Sequence, residues 1–325
     1  MREDSIIKKY IAPLSVAAGP SQAFADDVAW FENGISGPLV ISSDALVESI
    51  HFLQNSKASD LAKKLWGVNI SDLAAKGAVP VGFILNLALP KKIALDDKWL
   101  EDFFSTIAIN LKTWGGELWG GDTVSSPDSI MLALTAFGRP KVGKIPTRSG
   151  AKPGEILFTS GTLGDSALGL HILQNSDARK NLSSADIEFL SNRYLHPTPR
   201  LSFGVLAAEF VSAMMDISDG LCCDLARLCS ASEVSAEINS WRLPISAAAE
   251  KFPQKYLAAA LNGGDDYELL FSVAEEDVPL IQRIAEETNT KITAIGKIFA
   301  GAAGEITVKN LAGEIINIPT GFSHF

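Results

Sequence analysis

One segment, SDLAKKLWGVNISDLAAKG at residues 59–77, constrains the fold most, because it predicts a helix with a carboxylate on its apolar side. Ser59 is a suitable N-cap for this helix, and Gly77 is a suitable left-handed residue at its end. At helical spacing, one stripe of side chains comprises Leu61, Leu65, Val68, Asp72 and Ala75. We therefore expect Asp72 to point inward with its apolar neighbours.

A carboxylate in such a position needs a compensating interaction. It must be protonated, hydrogen-bonded, paired with a cation or bound to a metal. Asp72 alone could equally be a structural residue that caps a neighbouring loop. Further acids occur in Asp26-Asp27, Ser42-Ser43-Asp44, Gly120-Gly121-Asp122-Thr123, Asp216-Ile217-Ser218-Asp219-Gly220 and Gly263-Gly264-Asp265-Asp266. Aspartates grouped with hydroxyl side chains, without His or Cys, indicate a site for a hard cation, most often Mg2+.

The composition limits the class of protein. With 325 residues, 47% of them hydrophobic, the chain is long enough for two globular domains. No apolar run approaches the ~18 residues of a membrane span, and early acids and prolines argue against a secretory signal, so we expect a cytoplasmic protein without membrane contact. A net charge of −10 argues against nucleic-acid binding. The pattern of Cys222, Cys223 and Cys229 argues against zinc and disulfides.

Strand and helix patterns alternate along the chain. In the first part, strands are predicted at 38–42, 81–89 and 130–137, and a helix at 96–114. The basic stretch 141–154, which contains Gly and Pro, is the predicted domain boundary. Beyond it we predict strands at 155–159, 267–273 and up to 298, helices at 161–173, up to 212, 221–229 and up to 288, and a hairpin at 306–318. This order predicts an α/β or α+β fold with domains at residues 1–140 and 141–325.

An ordered set of sequence blocks spans the chain from Asp26 to Phe325. The blocks are Asp26-Asp27, SSDALVESIHF, NISDLAAKGA, GGDT, TRSGAKPGE, HPTPR, MDISDGL, GGDDYELLF and the closing Gly-Phe-Ser-His-Phe. This set resembles the thiamine-monophosphate kinase family, which belongs to the superfamily of aminoimidazole ribonucleotide synthetase. The resemblance implies a two-domain α/β architecture. It also implies that residues 1–140 bind ATP and Mg2+ and form a homodimer, and that residues 141–325 form a C-terminal α/β domain.

The resemblance implies an activity and a set of site residues. Members of the family transfer the γ-phosphoryl group of ATP to thiamine monophosphate, giving thiamine diphosphate, with several Mg2+ ions. By position, metal-binding roles are implied for Asp27, Ser42, Ser43, Asp44, Asp72, Asp122, Asp216 and Asp219. Contacts to ATP are implied for Gly121, Asp122, Arg148 and Ser218. Contacts to thiamine monophosphate are implied for His51, Asp265 and Phe322.

The residue types agree with this chemistry. Donor and acceptor are both phosphates, so divalent cations that bridge them counteract their repulsion. The acceptor phosphate is mostly ionised at neutral pH, because its second pKa is about 6, and it needs no strong general base. We therefore expect in-line transfer without a phosphoenzyme, with His51 positioning the acceptor. The alternative for His51 is a partly buried side chain that is satisfied by the backbone.

The chain departs from the family pattern at two places that bear on ligands. Ala23-Phe24-Ala25 stands where the family usually has Gly-x-Gly, and the loss of glycine removes access to positive φ. Asp265 replaces a usual Glu and is one methylene shorter. Neither change removes a metal-binding acid.

Rival functions come from the same superfamily and from another class. Selenophosphate synthetase is expected to have a reactive Cys or selenocysteine near the N-terminus, but the first cysteine is Cys222. Hydrogenase-maturation relatives end in a reactive Cys, whereas this sequence ends in Phe325. Aminoimidazole ribonucleotide synthetase agrees on fold alone. A non-enzymatic sensor of nucleotide, Mg2+ or thiamine phosphate is the alternative of another class, because binding can survive where phosphate alignment fails.

Overall fold

The structure, a computed structural model, describes residues 3–14, 20, 31, 36–141 and 143–316. The chain forms two compact units, of which the first comprises Met1–Leu73 and Val79–Pro140 and the second comprises Ala74–Ala78 and Lys141–Phe325. The strands form one four-stranded and one six-stranded sheet. Among the described residues, no helix is both long enough and apolar enough to cross a membrane.

The four-stranded sheet belongs to the first unit. Its strands are β1 (Val40–Val47), β2 (Ala78–Pro90), β3 (Glu117–Ser126) and β4 (Met131–Pro140), in the order β1-β4-β2-β3. The helices are α1 (Glu3–Ile6), which continues into a π turn (Ile7–Ile11) and a 3-10 turn (Ala12–Leu14), α2 (Ala58–Ala75), α3 (Lys91–Ala94) and α4 (Asp97–Trp114). β1 runs antiparallel to β4, and β2 runs parallel to β3. The predicted start of α4 is confirmed, because Asp96 accepts a hydrogen bond from the Trp99 amide.

Helix α2 is buried on almost all sides rather than along one stripe. Even Trp66, which lies outside the predicted stripe, is fully buried. The prediction that Ser59 is the N-cap is wrong, because the Lys57 carbonyl already accepts from the Leu61 amide and the helix begins at Ala58. The predicted left-handed end is confirmed, since Gly77 has φ +61°.

Strand β1 extends further than its predicted end at residue 42, and β3, which was not predicted, also runs through an acidic segment. β1 continues through Ser43 and Asp44 to Val47, and β3 continues through Gly121 and Asp122 to Ser126. In β1, exposed residues alternate with partly buried ones, whereas β3 is buried at Leu118 and Trp119 and largely exposed from Gly121 onward. The acids therefore lie within strands, and the end of an apolar run does not mark the end of a strand.

The second unit is a six-stranded sheet with helices on both faces. Its strands are β5 (Ile156–Ser160), β6 (Ala213–Asp216), β7 (Ser235–Asn239), β8 (Leu269–Val273), β9 (Ile292–Phe299) and β10 (Ile306–Lys309), in the order β10-β7-β9-β5-β8-β6. Its helices are α5 (Asp165–Gln174), α6 (Ser184–Leu195), α7 (Leu201–Ala207), α8 (Leu221–Ala231), α9 (Tyr256–Asn262) and α10 (Val278–Glu287). β10 pairs parallel with β7, and the remaining pairs are antiparallel.

Successive side chains of this sheet enter two different hydrophobic cores. Leu157 and Leu270 point to the side on which α8 packs. Phe158 and Phe271 point to the side on which α7 and α10 pack, and their rings stack with centroids 5.6 Å apart. Because both faces are covered, β8 is buried along its whole length and reads as a continuous apolar run.

The second unit also contains elements that the sequence analysis did not predict. Helix α6 begins with a capping box, in which Ser183 and Asp186 each accept a hydrogen bond from the other's amide. Strand β7 has only five residues.

Helix α7 ends at Ala207 rather than near residue 212. The predicted C-terminal hairpin consists, among described residues, of β10 and a bridge between Lys309 and Ile315.

Candidate active site

Ser42, Asp44 and Asp72 come together in the first unit. Ser42 and Asp44 are two residues apart in β1, so their side chains point to the same face. Ser42 Oγ donates a hydrogen bond to the Asp72 carboxylate. The Asp44 amide donates to Asn69 Oδ1 at 3.3 Å, one turn before Asp72 in α2. The helical stripe and the alternation of β1 thus place two acids and a hydroxyl side by side.

The ionisation of Asp44 is opposed by its surroundings. Burial, the charge of Asp72 and a hydrogen bond between the two carboxyl groups raise the pKa of Asp44 to about 6. Two carboxylates and the Ser42 hydroxyl offer only oxygen atoms, which are the ligands that a hard divalent cation prefers. A bound cation would also remove the repulsion between the acids. The residues present therefore fit Mg2+.

Ser43 and Asp122 are exposed instead. Ser43 Oγ lies 2.9 Å from Thr135 Oγ1, in the directly opposite position on β4. The alternation of β1 places Ser43 on the other face from Ser42 and Asp44. The structure therefore does not bring Ser43 together with the two acids.

The packing of the strands explains why position 121 is a glycine, without reference to any ligand. Its φ is +153°, and a Cβ atom there would lie 1.7 Å from the Leu85 carbonyl oxygen of β2. Around the neighbouring Gly120, the corresponding space is open. Close contact between β2 and β3 therefore requires glycine at position 121.

His51 follows β1 and is held by the backbone. Its Nδ1 atom accepts a hydrogen bond from the Val47 amide at 3.0 Å, and its own amide donates to the Val47 carbonyl at 2.9 Å. An accepting Nδ1 places the proton of a neutral imidazole on Nε2. This is the backbone contact that the sequence analysis left open as an alternative. A ligand contact by this ring would use the Nε2 edge.

In the second unit, a buried acid fixes the turn that carries Asp216, Ser218 and Asp219. Asp216 is the last residue of β6 and is itself buried. The amides of Ser218 and Asp219 both donate to Asp224 Oδ2, at 3.0 and 2.9 Å. Asp224 is fully buried, and burial raises its pKa to about 6. Its carboxylate thus fixes the backbone of the turn that precedes α8.

Arg227 supplies a positive charge to the same turn. Its guanidinium group donates to the Asp219 carboxylate, and its Nη1 atom lies 2.8 Å from Asp224 Oδ1. Asp219, Cys223 and Asp224 offer possible ligand atoms within 4.8 Å of one another. Burial raises the pKa of the Cys223 thiol, which favours the neutral thiol over the thiolate that binds metals. A hard cation at this turn would therefore use the carboxylates.

Asp265 is hydrogen-bonded to that turn through the backbone. The Asp265 amide donates to the Ser218 carbonyl at 2.8 Å, and the Tyr267 amide donates to the Ile217 carbonyl at 2.8 Å. Asp265 and Tyr267 have φ values of +67° and +50°, in the left-handed region that side chains other than glycine rarely adopt. The structure thus brings a predicted substrate contact next to Ser218, a predicted ATP contact.

Arg148, the other predicted ATP contact of the second unit, has an exposed side chain. Its carbonyl accepts a hydrogen bond from Ser232 Oγ at 2.9 Å. Its side chain borders a shallow depression together with Arg227 and Gly304. The guanidinium group is therefore placed where a ligand from solution could meet it.

The remaining predicted residues divide between the two units and the part of the chain outside the described residues. Asp27, Phe322 and the segment Ala23-Phe24-Ala25 lie outside the described residues. The first unit contains Ser42, Ser43, Asp44, His51, Asp72, Gly121 and Asp122, and the second contains Arg148, Asp216, Ser218, Asp219 and Asp265. Asp224 was not among the predicted residues, although an acid in the first turn of a helix directly after a Ser-Asp-Gly turn is a usable signal.

Two family models match most of the chain. The model described as AIR synthase related protein, N-terminal domain, matches residues 25–139. The model described as AIR synthase related protein, C-terminal domain, matches residues 152–309. The predicted fold class, a two-domain aminoimidazole ribonucleotide synthetase-like architecture, is confirmed.

Individual relatives narrow the family. The thiamine-monophosphate kinase of Escherichia coli strain K12 is 38% identical over 304 residues, which cover 92% of this chain and 90% of that protein. The crystal structure of thiamine-monophosphate kinase from Stenotrophomonas maltophilia K279a is 34% identical, with a TM-score of 0.80 and coverage of 90% of both chains. The structure of AaThiL complexed with AMPPCP and TMP is 30% identical, with a TM-score of 0.77 and coverage of 94% of both chains. The chain therefore belongs to the thiamine-monophosphate kinase family, within the AIR synthase related proteins.

Proposed function

We propose that the chain transfers the γ-phosphoryl group of ATP to thiamine monophosphate, releasing ADP and thiamine diphosphate. The observation that carries this proposal is the convergence of Ser42, Asp44 and Asp72 in a chain of this family, because such oxygen donors suit a reaction between two phosphates. AaThiL has been solved with both AMPPCP, an analogue of ATP, and TMP. That pair of ligands supports ATP as the phosphoryl donor and thiamine monophosphate as the acceptor here.

The acidic residues of both units are suited to Mg2+. Asp44, Asp72 and Ser42 would hold cations in the first unit, and Asp216 and Asp219 would do so in the second. Equivalent roles for Asp27, Ser43 and Asp122 remain predictions from the sequence resemblance. When bound, Mg2+ neutralises charge on the phosphate oxygens of donor and acceptor. The adjacent carboxylates of Asp44 and Asp72 therefore suit the binding of a cation.

The transfer itself requires little acid–base chemistry from the protein. An oxygen of the acceptor phosphate attacks the γ-phosphorus of ATP directly, since this phosphate is largely ionised at neutral pH. The Val47 amide occupies Nδ1 of His51, which orients a neutral ring and suits it to positioning the acceptor. We therefore infer direct in-line transfer without a phosphoenzyme. A donor with a chiral γ-thiophosphoryl group should give inverted configuration at phosphorus, and retention would indicate a phosphoenzyme.

Residues of the second unit are suited to hold the two ligands close together. The Asp265 carboxylate suits the thiazolium cation or the aminopyrimidine of thiamine. The Ser218 hydroxyl and the Arg148 guanidinium suit phosphate oxygens of ATP. The hydrogen bond between the Asp265 amide and the Ser218 carbonyl would keep the two binding regions in a fixed relation. The sequence resemblance adds Gly121 and Asp122 to the proposed ATP contacts, and Phe322 to the proposed acceptor contacts.

The first unit has a surface that suits pairing with a second copy of the chain. Three large apolar side chains on its strands, Ile41, Val124 and Met131, are 60%, 50% and 42% exposed. Apolar side chains in such numbers on a sheet are typical of an interaction surface. We therefore assign homodimerisation, together with ATP and Mg2+ binding, to residues 1–140, and the role of C-terminal α/β domain to residues 141–325.

The proposed activity is tested by incubating the purified protein with ATP, Mg2+ and thiamine monophosphate and separating the products by chromatography. We expect ADP and thiamine diphosphate to form in equal amounts, and EDTA to abolish both. If both ligands bind but neither product forms, the proposal is wrong and the chain acts as a sensor. In that case the Ala23-Phe24-Ala25 segment becomes the first candidate for the lost activity.

A further inference from the structure

A buried ionic network lies beside the segment that carries Asp265. Its centre is Glu268, which is fully buried and immediately precedes β8. Arg200 binds this carboxylate with two donors, Nε at 2.7 Å and Nη2 at 2.5 Å. Arg193 of α6 donates to the same carboxylate at 3.0 Å, and Ser160 Oγ donates at 2.6 Å. Both oxygens of Glu268 are therefore fully engaged by two cations and a hydroxyl.

The same network also forms hydrogen bonds with the backbone next to Asp265. Arg193 Nη2 also donates to the Asp266 carbonyl at 3.1 Å. The Asp266 side chain lies at the N-terminus of α5. There its carboxylate accepts a hydrogen bond from the Gly164 amide at 2.7 Å. The Glu268 carbonyl accepts from the Ile217 amide at 2.8 Å. The residues on the C-terminal side of Asp265 are thus fixed through both backbone and side chains.

Asp265 itself adopts a conformation that needs such support. Asp265 and Tyr267 both have left-handed φ values, which cost free energy in residues other than glycine and persist only where surrounding contacts enforce them. Tyr267 Oη donates to Asp265 Oδ1 at 3.2 Å and so also constrains the carboxylate. Because Asp266 and Glu268 are fixed, the left-handed backbone at Asp265 and Tyr267 is enforced. The Asp265 side chain therefore has a defined direction.

We propose that Arg200 and Glu268 are positioning residues for acceptor recognition, acting through Asp265. The inference rests on the proposed function, in which Asp265 contacts thiamine monophosphate. Loosening the Arg200–Glu268 pair lets the segment 265–267 relax from its left-handed conformation, which misdirects the Asp265 carboxylate. The turn that carries Ser218 is also fixed by Asp224, which accepts hydrogen bonds from the Ser218 and Asp219 amides, so the loss falls on the acceptor rather than on ATP.

Arg200→Lys is the most direct test, because it keeps the charge and removes the two-donor contact to Glu268. We expect the Michaelis constant for thiamine monophosphate to rise about tenfold, with kcat and the constant for ATP changed less than about twofold. Folding is checked by circular dichroism and thermal unfolding. If Arg200→Lys does not fold, Glu268→Gln serves in its place, since it keeps the shape of the side chain and removes its charge.

Glu155→Gln is the matched control. Glu155 is also a buried carboxylate of the second unit, and it accepts hydrogen bonds from Ser272 Oγ at 2.8 Å and from Ser212 Oγ at 2.5 Å. Among the described residues, the hydrogen bonds of its side chain join it to Lys152, Ser212 and Ser272, which lie outside the segment 263–268. We expect this variant to lower the temperature of unfolding without changing the Michaelis constant for thiamine monophosphate. If Glu155→Gln loses as much stability as Arg200→Lys but keeps its affinity for the acceptor, then the effect of Arg200→Lys on the acceptor is not a consequence of lower stability.

A double-mutant cycle with Asp265→Asn tests whether Arg200 acts through Asp265. Asparagine tolerates left-handed backbone, so this change removes the charge without adding strain. We expect Asp265→Asn alone to raise the Michaelis constant for thiamine monophosphate about tenfold or more, and Arg200→Lys to add less than about twofold in that background. Multiplicative effects of the two changes would overturn the inference.

The outcomes distinguish this inference from the proposed function. If the wild-type protein forms no thiamine diphosphate, the proposed function fails and the inference fails with it. If the wild type is active but Arg200→Lys behaves like Glu155→Gln, the inference alone is wrong. An increase confined to the Michaelis constant for ATP also overturns it.

Discussion

At the scale of single residues, the central feature of the first unit is the placement of the Asp44 carboxyl group beside a second acid, which opposes the ionisation of Asp44. Asp44 and Asp72 share a half-buried site with a hydroxyl, and the pKa of Asp44 is raised to about 6 by burial and by its neighbour. In the absence of a cation, this arrangement lowers the stability of the folded protein above the ordinary pKa of an acid. Such an unfavourable pair is typical of a functional site rather than of a structural one.

Replacement of Asp72 by Asn separates function from stability at this site. We expect turnover at saturating Mg2+ to fall about 100-fold or more, because a cation loses a charged ligand. We also expect the free energy of unfolding in EDTA to stay level or to rise by about 1 kcal/mol, because Asp44 loses a like charge. Turnover is measured by product chromatography, and stability by urea unfolding.

The matched control for Asp72→Asn is Asp102→Asn. Asp102 is an exposed acid of α4, paired with Lys98 at 2.7 Å. An exposed pair of this kind contributes about 0.2–1 kcal/mol at most. We expect near wild-type turnover and stability for this control. Near wild-type turnover of Asp72→Asn, or marked destabilisation in EDTA, would contradict the assignment of Asp72 as a cation ligand.

Residue-level prediction from sequence succeeds where a periodic pattern fixes the direction of a side chain. The helical stripe predicts the side of α2 that carries Asp72, and the structure places Asp72 beside Ser42 of β1, although Asp72 is less buried than most of the helix. By contrast, Ser42 and Ser43 both belong to the same sequence block, and only the phase of β1 assigns them to opposite faces. The pairing of Arg200 with Glu268 joins residues 68 positions apart, which no local pattern reveals. Contacts of this kind depend on the completed fold.

At the scale of secondary-structure elements, the contact between β2 and β3 depends on one of two adjacent glycines. A Cβ atom at Gly121 would lie 1.7 Å from the Leu85 carbonyl oxygen, whereas the space around Gly120 is open. We expect Gly121→Ala to destabilise the protein by about 3 kcal/mol or more, because the strands must separate. We expect Gly120→Ala to change the free energy of unfolding by less than about 1 kcal/mol. Equal effects of the two substitutions in urea unfolding would rule out this explanation.

A second element-level prediction concerns the start of α6, the helix that carries Arg193. Hydrogen bonds from Lys251 and from Ser183 lower the pKa of Asp186 to about 2. A lowered pKa of an acid adds stability that is complete above its unfolded pKa of about 4 and disappears as the pH falls towards 2. We therefore expect Asp186→Asn to be less stable than wild type near pH 6, and the difference to shrink below about pH 4. Thermal unfolding over this pH range tests the sign, and a difference that grows on acidification would contradict it.

Elements were predictable in proportion to their length and to the clarity of their ends. The long helices α2 and α4 are marked by their apolar periodicity, and α4 also by its cap at Asp96. Strand β1 was predicted to end too early, and β3 was not predicted, because a half-exposed strand loses its apolar run before it ends. Helix α6 has a capping box but no dominant apolar face, and β7 alternates polar and apolar residues where the equally short β5 and β8 are largely apolar, so neither α6 nor β7 was predicted. In these cases tertiary packing, rather than local preference, determines the element.

At the scale of the whole molecule, the predicted ligand-binding residues are distributed over both units, so neither unit contains the complete set. The first unit supplies the opposed acids and His51, and the second supplies the turn at Ser218 together with Asp265. The family match covers both units as well, with separate N-terminal and C-terminal models. The proposed kinase reaction is therefore a property of the full chain, and variants are best assayed in the full chain.

The proposed homodimer gives the last prediction at this scale. Ile41 is 60% exposed on β1, and a charge there should prevent the burial of this apolar surface against a second copy. We expect the wild-type protein to sediment with the mass of a dimer and Ile41→Glu with that of a monomer, with an unfolding free energy within about 0.5 kcal/mol of wild type for the isolated chain. Ile109→Glu is the control, because Ile109 is equally exposed, at 62%, but lies on α4 rather than on a strand. A monomeric wild type, or loss of the dimer in both variants, would show that the strand surface is not the interface.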